Sequence, residues 1–193
     1  MSDHKGWYSR KRLPHLDGAG VTQFITFRLA DSLPQIFLNE LAEELSHLKK
    51  DVERVKYERI QAQLDIGHGS CILREEQSAR IVRDSLQFLH PKQYDLRAFV
   101  VMPNHVHALA RFEEGQSISK TMHSLKSYTA HEIKKLHPEM DSIWQEESFD
   151  RYMRNDDHYW RTIRYIRENP VKARLCEKAE DFQWSCTLGL EDQ

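Results

Sequence analysis

The chain has 193 residues, 39% of them hydrophobic and 30% charged, with a formal net charge of −2. That length suits one domain able to bury its own core, and the composition excludes disordered and fibrous classes. The near-neutral charge argues against a non-specific nucleic-acid coat, which needs many Lys/Arg–phosphate contacts.

In chain order, VTQFITFRL at 21–29 alternates and is rich in β-branched and aromatic residues, predicting a strand. After Pro34, apolar residues at 38, 41, 45, 48, 52 and 55 predict one long helix over 35–55. LDIGHGSCIL at 64–73 reads as a turn, because its GxG lacks the spacing of a phosphate-cradling loop. A second helix over 74–90 is stopped by Pro91, and the strands YDLRAFVVM and HVHALARF are separated by Pro103-Asn104, a tight-turn signal. An amphipathic helix over 117–137 is stopped by Pro138, and 148–154 reads as an edge strand. The helix over 155–169 has Asn155 as N-cap and Asp156 and Asp157 in its first turn, where the macrodipole favours them. It is expected to end at Asn169, since Pro170 disfavours helix at the residue before it.

The order β-α-α-β-β-α-β-α predicts a single α+β domain over 1–193, with helices packed on one face of an antiparallel sheet. Residues 1–20 read as a basic arm and 171–193 as a tail. No apolar run approaches the ~20 residues of a membrane helix, and no apolar signal core opens the chain, so the expected location is the cytoplasm. Cys71, Cys176 and Cys186 form no CxxC and are expected to be reduced and structural. Basic residues cluster in two places. Arg10, Lys11 and Arg12 stand in the first fifteen residues, and residues 149–178 hold eight Lys/Arg, Arg161 and Arg164 among them, against five Asp/Glu. Such clusters are solvated faces or phosphate-facing surfaces.

On a strand, His105 and His107 point to one side with Cα atoms about 6.5–7 Å apart, and Val106 and Ala108 to the other. The pair is either two hydrogen-bonded sheet residues or half of a cation site. A hard divalent ion also wants oxygen ligands, so a third donor must come from elsewhere. On the wheel of 155–169, Tyr159, Trp160, Ile163 and Ile166 define the core side. Tyr165 lies off it with Asn169 at i+4, beside Arg161 and His158. A phenol of pKa ~10 is a weak nucleophile unless activated. A cation held by two imidazoles and an amide oxygen would polarise a phosphodiester and hold it for attack. Such chemistry needs no nucleoside triphosphate, and no GxxxxGK[ST] motif is present. Tyr128 competes, with Glu132 at i+4 as a better cation ligand than an amide. It flanks the stripe of Met122, Leu125, Ile133 and Leu136, which favours partly buried packing. Tyr152 is a more distant candidate. Trp144, Trp160 and Trp184 would stack on unpaired bases if exposed, and core packing is the preferred reading for each.

VVMPNHVHALARF, then YIRENPVKARL, then EDFQWSC together resemble the REP-associated tyrosine transposases of bacteria, relatives of the IS200/IS605 single-tyrosine transposases. The resemblance runs from GWYSRKRLPHLD and QFITFRL to the Trp-Ser near the C-terminus. It implies a ferredoxin-like (RRM-like) α+β domain that uses Mg²⁺ or Mn²⁺. The implied activity is cleavage and rejoining of single-stranded or hairpin DNA through a 5′-phosphotyrosine, by a monomer or homodimer. It further implies Tyr165 as nucleophile and His105, His107 and Asn169 as metal ligands. Relatives often place Gln where Asn169 stands, and commonly Gly where this chain has Arg174. Two other readings stay open: a catalytically silent hairpin-binding regulator, and a metal phosphodiesterase that uses activated water.

Overall fold

In the computed structural model the described residues are 6–10, 13–17 and 20–187, the first two segments by backbone alone. Strands β1 (Gly6–Arg10) and β2 (Leu13–Asp17) pair antiparallel with each other. The residues read as a basic arm therefore include a two-stranded sheet. Lys11 and Arg12 lie outside the described residues, and of Arg10 only the backbone is described.

Strand β3 (Val21–Arg28) is followed by helices α1 (Gln35–Ser46), α2 (Val52–Ile66) and α3 (Glu76–Leu89). Then come β4 (Asp95–Val101), β5 (His105–Phe112), α4 (Ile118–Leu136), β6 (Phe149–Tyr152), α5 (Asp156–Lys172) and β7 (Ser185–Thr187). The main sheet runs β6-β3-β5-β4-β7, antiparallel throughout. Taking β3, α3, β4, β5, α4 and β6 as a unit gives the β-α-β-β-α-β split motif of ferredoxin-like domains. Strand β7, from the segment expected to be a tail, adds an edge beside β4.

Alternation along β5 divides the core. Val106, Ala108, Ala110 and Phe112 pack with Val82 and Leu86 of α3 and with Met122, Leu125 and Ile133 of α4. That is the expected layer of helices on one face. On the other face, Leu109, Ala98, Val100 and Phe24 pack under Ile163 and Ile166 of α5. Helices thus cover both faces, because Ala98 and Val100 of β4, Leu109 of β5 and Phe24 of β3 leave a second apolar surface to bury.

The helix expected over 35–55 is broken. Asp51 adopts a left-handed φ of 59° and reverses the chain. Leu38, Leu41 and Leu45 of α1 then pack against Ile60 and Leu64 of α2 in a small core of their own. A continuous helix would have left that stripe in water. Helix α5 passes through Pro170 to Lys172 rather than ending at Asn169. Asn169 and Pro170 are both buried, and this packing overrides the local cost of proline. The buried arc of α5 also takes in Thr162 and Asn169, so its centre lies nearer Ile166 than Ile163. Trp160 is left at the margin, 47% exposed, rather than in the core. Trp144 and Trp184 are buried, the former donating from Nε1 to Thr129 Oγ1 at 2.9 Å. All three cysteines are free and partly buried. No helix among the described residues is long and apolar enough to cross a membrane.

Candidate active site

The face of the sheet under α5 carries the two histidines. Strand β5 begins at His105, and the Met102–Asn104 turn closes with Met102 N–H donating to the His105 carbonyl at 2.8 Å. Both imidazoles are fully buried, and their Nε2 atoms lie 3.1 Å apart. Each ring is held by its other nitrogen. His105 Nδ1 is 2.8 Å from Asn104 Oδ1, and His107 Nδ1 is 2.8 Å from Thr26 Oγ1 on the neighbouring strand. The Asn104 oxygen can only accept, so His105 donates from Nδ1 and presents a bare Nε2 inward. Burial holds both rings neutral: His105 is lowered to about 3, and His107 falls well below its ordinary value, through burial first and its neighbour second. Two neutral imidazoles with converging Nε2 atoms are the state a cation requires.

Asn104 is itself anchored. Its Nδ2 donates to the His68 carbonyl at 3.0 Å, inside the Gly-punctuated turn. That turn closes on Asp31 through Ser70 N–H to Asp31 Oδ2 at 2.7 Å. Gly69 sits at φ +86°, where a Cβ would come 2.5 Å from the Asp31 carbonyl oxygen.

Tyr165 reaches the pair from α5. Its hydroxyl lies 3.3 Å from His107 Nε2 and 3.1 Å from Gln61 Oε1, which accepts from it. Its ring packs edge-on against Phe24, and Lys172 Nζ stands 5.6 Å over it. Burial raises the phenol well above its ordinary value, with Tyr57 and Asp65 adding to the rise, while a hydrogen bond from Asn169 opposes it. Asn169 is 2% exposed, and its Oδ1 has no hydrogen-bond partner. Asn169 thus brings an orphaned amide oxygen to Tyr165, whose hydroxyl meets His107, and an amide oxygen with two imidazoles is a donor set that fits a hard divalent cation. Among the described residues no group of three or more His, Cys, Asp or Glu is placed to hold a metal.

Beyond Tyr165 opens a cavity of about 430 Å³ lined by Arg151, Arg154, Arg161, His158 and Tyr57. The three guanidinium groups, after burial, hold His158 below its ordinary value. Arg161 is tied to Asp157 at 2.6 Å. Arg164 is exposed on α5. Tyr128, expected to be partly buried, is 58% exposed, and its helix packs on the opposite face of the sheet from the histidines. The structure thus gathers Tyr165, His105, His107, Asn169 and Arg161, and separates Tyr128 from them.

Sequence reasoning missed Thr26, Asn104 and Gln61. Thr26 had a faint signal, a hydroxyl on the same strand face as Phe24. Gln61 had none, since its contact with Tyr165 spans 104 residues of chain.

Comparison with known proteins extends these observations. A REP-associated tyrosine transposase of Escherichia coli (strain K12) is 26% identical over 95 residues, 49% of this chain and 54% of the relative. The chain thus spans about half the length of that curated relative. A solved structure of a REP-associated tyrosine transposase bound to a REP hairpin superposes with a TM-score of 0.54 at 20% identity, covering 92% of this chain and 80% of the other. It supports the fold. Residues 70–169, from the Gly-punctuated turn through Asn169, match the family described as "Transposase IS200 like". With more than half its length inside that match, the chain belongs to the IS200-like transposase family.

Proposed function

We propose that this protein is a metal-dependent nuclease and strand transferase acting on single-stranded or hairpin DNA, with Tyr165 as its nucleophile. The observation that carries this reading is the Tyr165 hydroxyl, 3.3 Å from the Nε2 of one member of a neutral histidine pair. His105, His107 and the orphaned Asn169 Oδ1 would hold Mg²⁺ or Mn²⁺. When bound, the cation supplies positive charge that polarises the scissile phosphate and offsets the charge developing on it.

The chain's own groups do the rest. The Tyr165 oxygen attacks phosphorus, the bond to the 3′ oxygen breaks, and the phenol's proton is balanced by the proton on the released 3′ hydroxyl. Gln61 Oε1, accepting from the Tyr165 hydroxyl, holds it in place before attack, which lowers the entropic cost of alignment. Reversal by a different 3′ hydroxyl rejoins DNA without a nucleotide cofactor. Arg151, Arg154 and Arg161 supply phosphate contacts beside the nucleophile. The hairpin-bound structure named above supports a hairpin substrate.

Labelled hairpin DNA incubated with Mn²⁺ should yield a denaturant-stable protein–DNA adduct that Tyr165→Phe abolishes and Tyr128→Phe spares. Cleavage without an adduct would instead indicate water as nucleophile, and tight binding without cleavage a silent regulator.

A further inference from the structure

The helical hairpin α1–α2 lies outside residues 70–169, yet it closes a cavity of about 580 Å³ against β3 and β6, within the range of small-molecule sites. Leu38, Leu41, Ile60 and Phe149 make its walls apolar. Four charged residues also line it, Glu53 and Lys56 from α2, Arg28 from β3 and Glu147 from the segment leading into β6. Arg28, half-buried at the end of β3, makes one side-chain hydrogen bond among the described residues, from Nη1 to Ser32 Oγ at 3.0 Å. Burial lowers it to about 10. Glu147 lines the same cavity, and its Oε1 is buried without a hydrogen-bond partner. The two form no ion pair with each other.

A buried carboxyl oxygen with no partner and a half-buried guanidinium with a single one are costly unless a ligand satisfies them. A lone phosphate would meet Arg28 but be repelled by Glu147, and an apolar ligand would leave both unsatisfied. A flat group with paired acceptors on one edge and paired donors on the adjacent edge meets both. Guanine has O6 and N7 as paired acceptors for a guanidinium, and its N1–H and N2–H₂ are paired donors for a carboxylate. The apolar walls suit its faces.

The cavity is also contiguous with the site. Thr26 and Gln61, which hold His107 and Tyr165, line it, and Tyr57 lines both it and the arginine cavity. We infer that this cavity takes one unpaired guanine of the DNA strand next to the scissile phosphate, read by Arg28 and Glu147. The inference rests on the proposed nuclease reading and names the base that reading leaves open.

The test uses the full chain carrying Tyr165→Phe, in EDTA, with fluorescein-labelled short oligonucleotides read by anisotropy. These are all thymine, or thymine with one central guanine, adenine or hypoxanthine. The guanine probe should bind about tenfold tighter than the all-thymine and adenine probes, as expected of a bidentate base contact. Hypoxanthine, lacking the N2 amino group, should fall between. Arg28→Gln, Glu147→Gln and Ala42→Trp at the exposed rim should each bring the guanine probe to the all-thymine level, with melting by circular dichroism unchanged. Equal affinity for all four probes overturns the inference without recourse to any further variant. So does a guanine preference that survives both Arg28→Gln and Glu147→Gln. The hairpin adduct assay on the unsubstituted chain separates the two ideas: an adduct without base preference discards the guanine cavity and keeps the nuclease, while base preference without an adduct does the reverse.

Discussion

Thr26 and Asn104 set the histidine pair through hydrogen bonds to the two Nδ1 atoms, each 2.8 Å. Such partners fix the tautomer and aim of a ligating ring, and losing one commonly costs about 10–100-fold in metal affinity. Thr26→Val and Asn104→Ala are therefore each expected to weaken Mn²⁺ binding by about that factor, measured from the free-ion electron paramagnetic resonance signal. Affinity equal to that of the unsubstituted chain would show that the Nδ1 contacts do not tune the site. Burial also ties stability to pH. Both rings stay neutral in the fold well below the ordinary histidine range, whereas in the unfolded chain they protonate near 6.5. The unfolded state then binds more protons as pH falls from about 6.5 toward 3, so the contribution is full above 6.5 and is lost across that window. In metal-free protein the urea midpoint should drop between pH 7 and pH 5. The loss is at most about 1.4 kcal/mol per histidine per pH unit. A flat profile over that interval would contradict the burial.

At the scale of elements, the local signals for strands and for most helices held because they rest on side-chain alternation and helical period. The Val21–Arg28 strand and the His105 start of β5 were both legible this way. Two boundaries were not. The break at Asp51 satisfies the core shared by α1 and α2, and the passage of α5 through Pro170 is sustained by the burial of Asn169 and Pro170 on a helix packed over β4. Both depend on side chains packed against another element, which helical period within one segment does not report. The turn carrying Gly67 and Gly69 was legible as a turn but not as an anchor for Asn104. Gly69→Ala would meet both a positive φ and the Asp31 carbonyl. A loss of about 1–3 kcal/mol in chemical denaturation is expected, with a parallel fall in metal affinity through the loosened Asn104. Wild-type stability in that variant would mean the turn relaxes freely.

For the whole molecule, a net charge of −2 conceals a positive surface beside Tyr165. If Arg151, Arg154 and Arg161 contact DNA phosphates, each Arg→Gln substitution should weaken single-stranded DNA binding across sequences. Each should also flatten the slope of log K against log salt by about 0.7. A loss of affinity with an unchanged slope would assign those side chains to something other than phosphate. Arg28→Gln, by contrast, should change base preference more than salt slope, since it stands in the cavity rather than the open groove.

By itself the sequence determined the antiparallel α+β order, the shared face of His105 and His107 and the placing of Tyr165 with Asn169 one turn apart. These follow from covalent geometry that repeats every two residues on a strand and every 3.6 on a helix. Tertiary structure alone decided that α5 covers the histidine face while α4 carries Tyr128 to the other side. It also decided that Gln61 reaches Tyr165 across 104 residues and that Arg28 and Glu147 share one cavity. Which buried surfaces meet depends on burying every apolar face of the chain at once, and no local repeat encodes that choice.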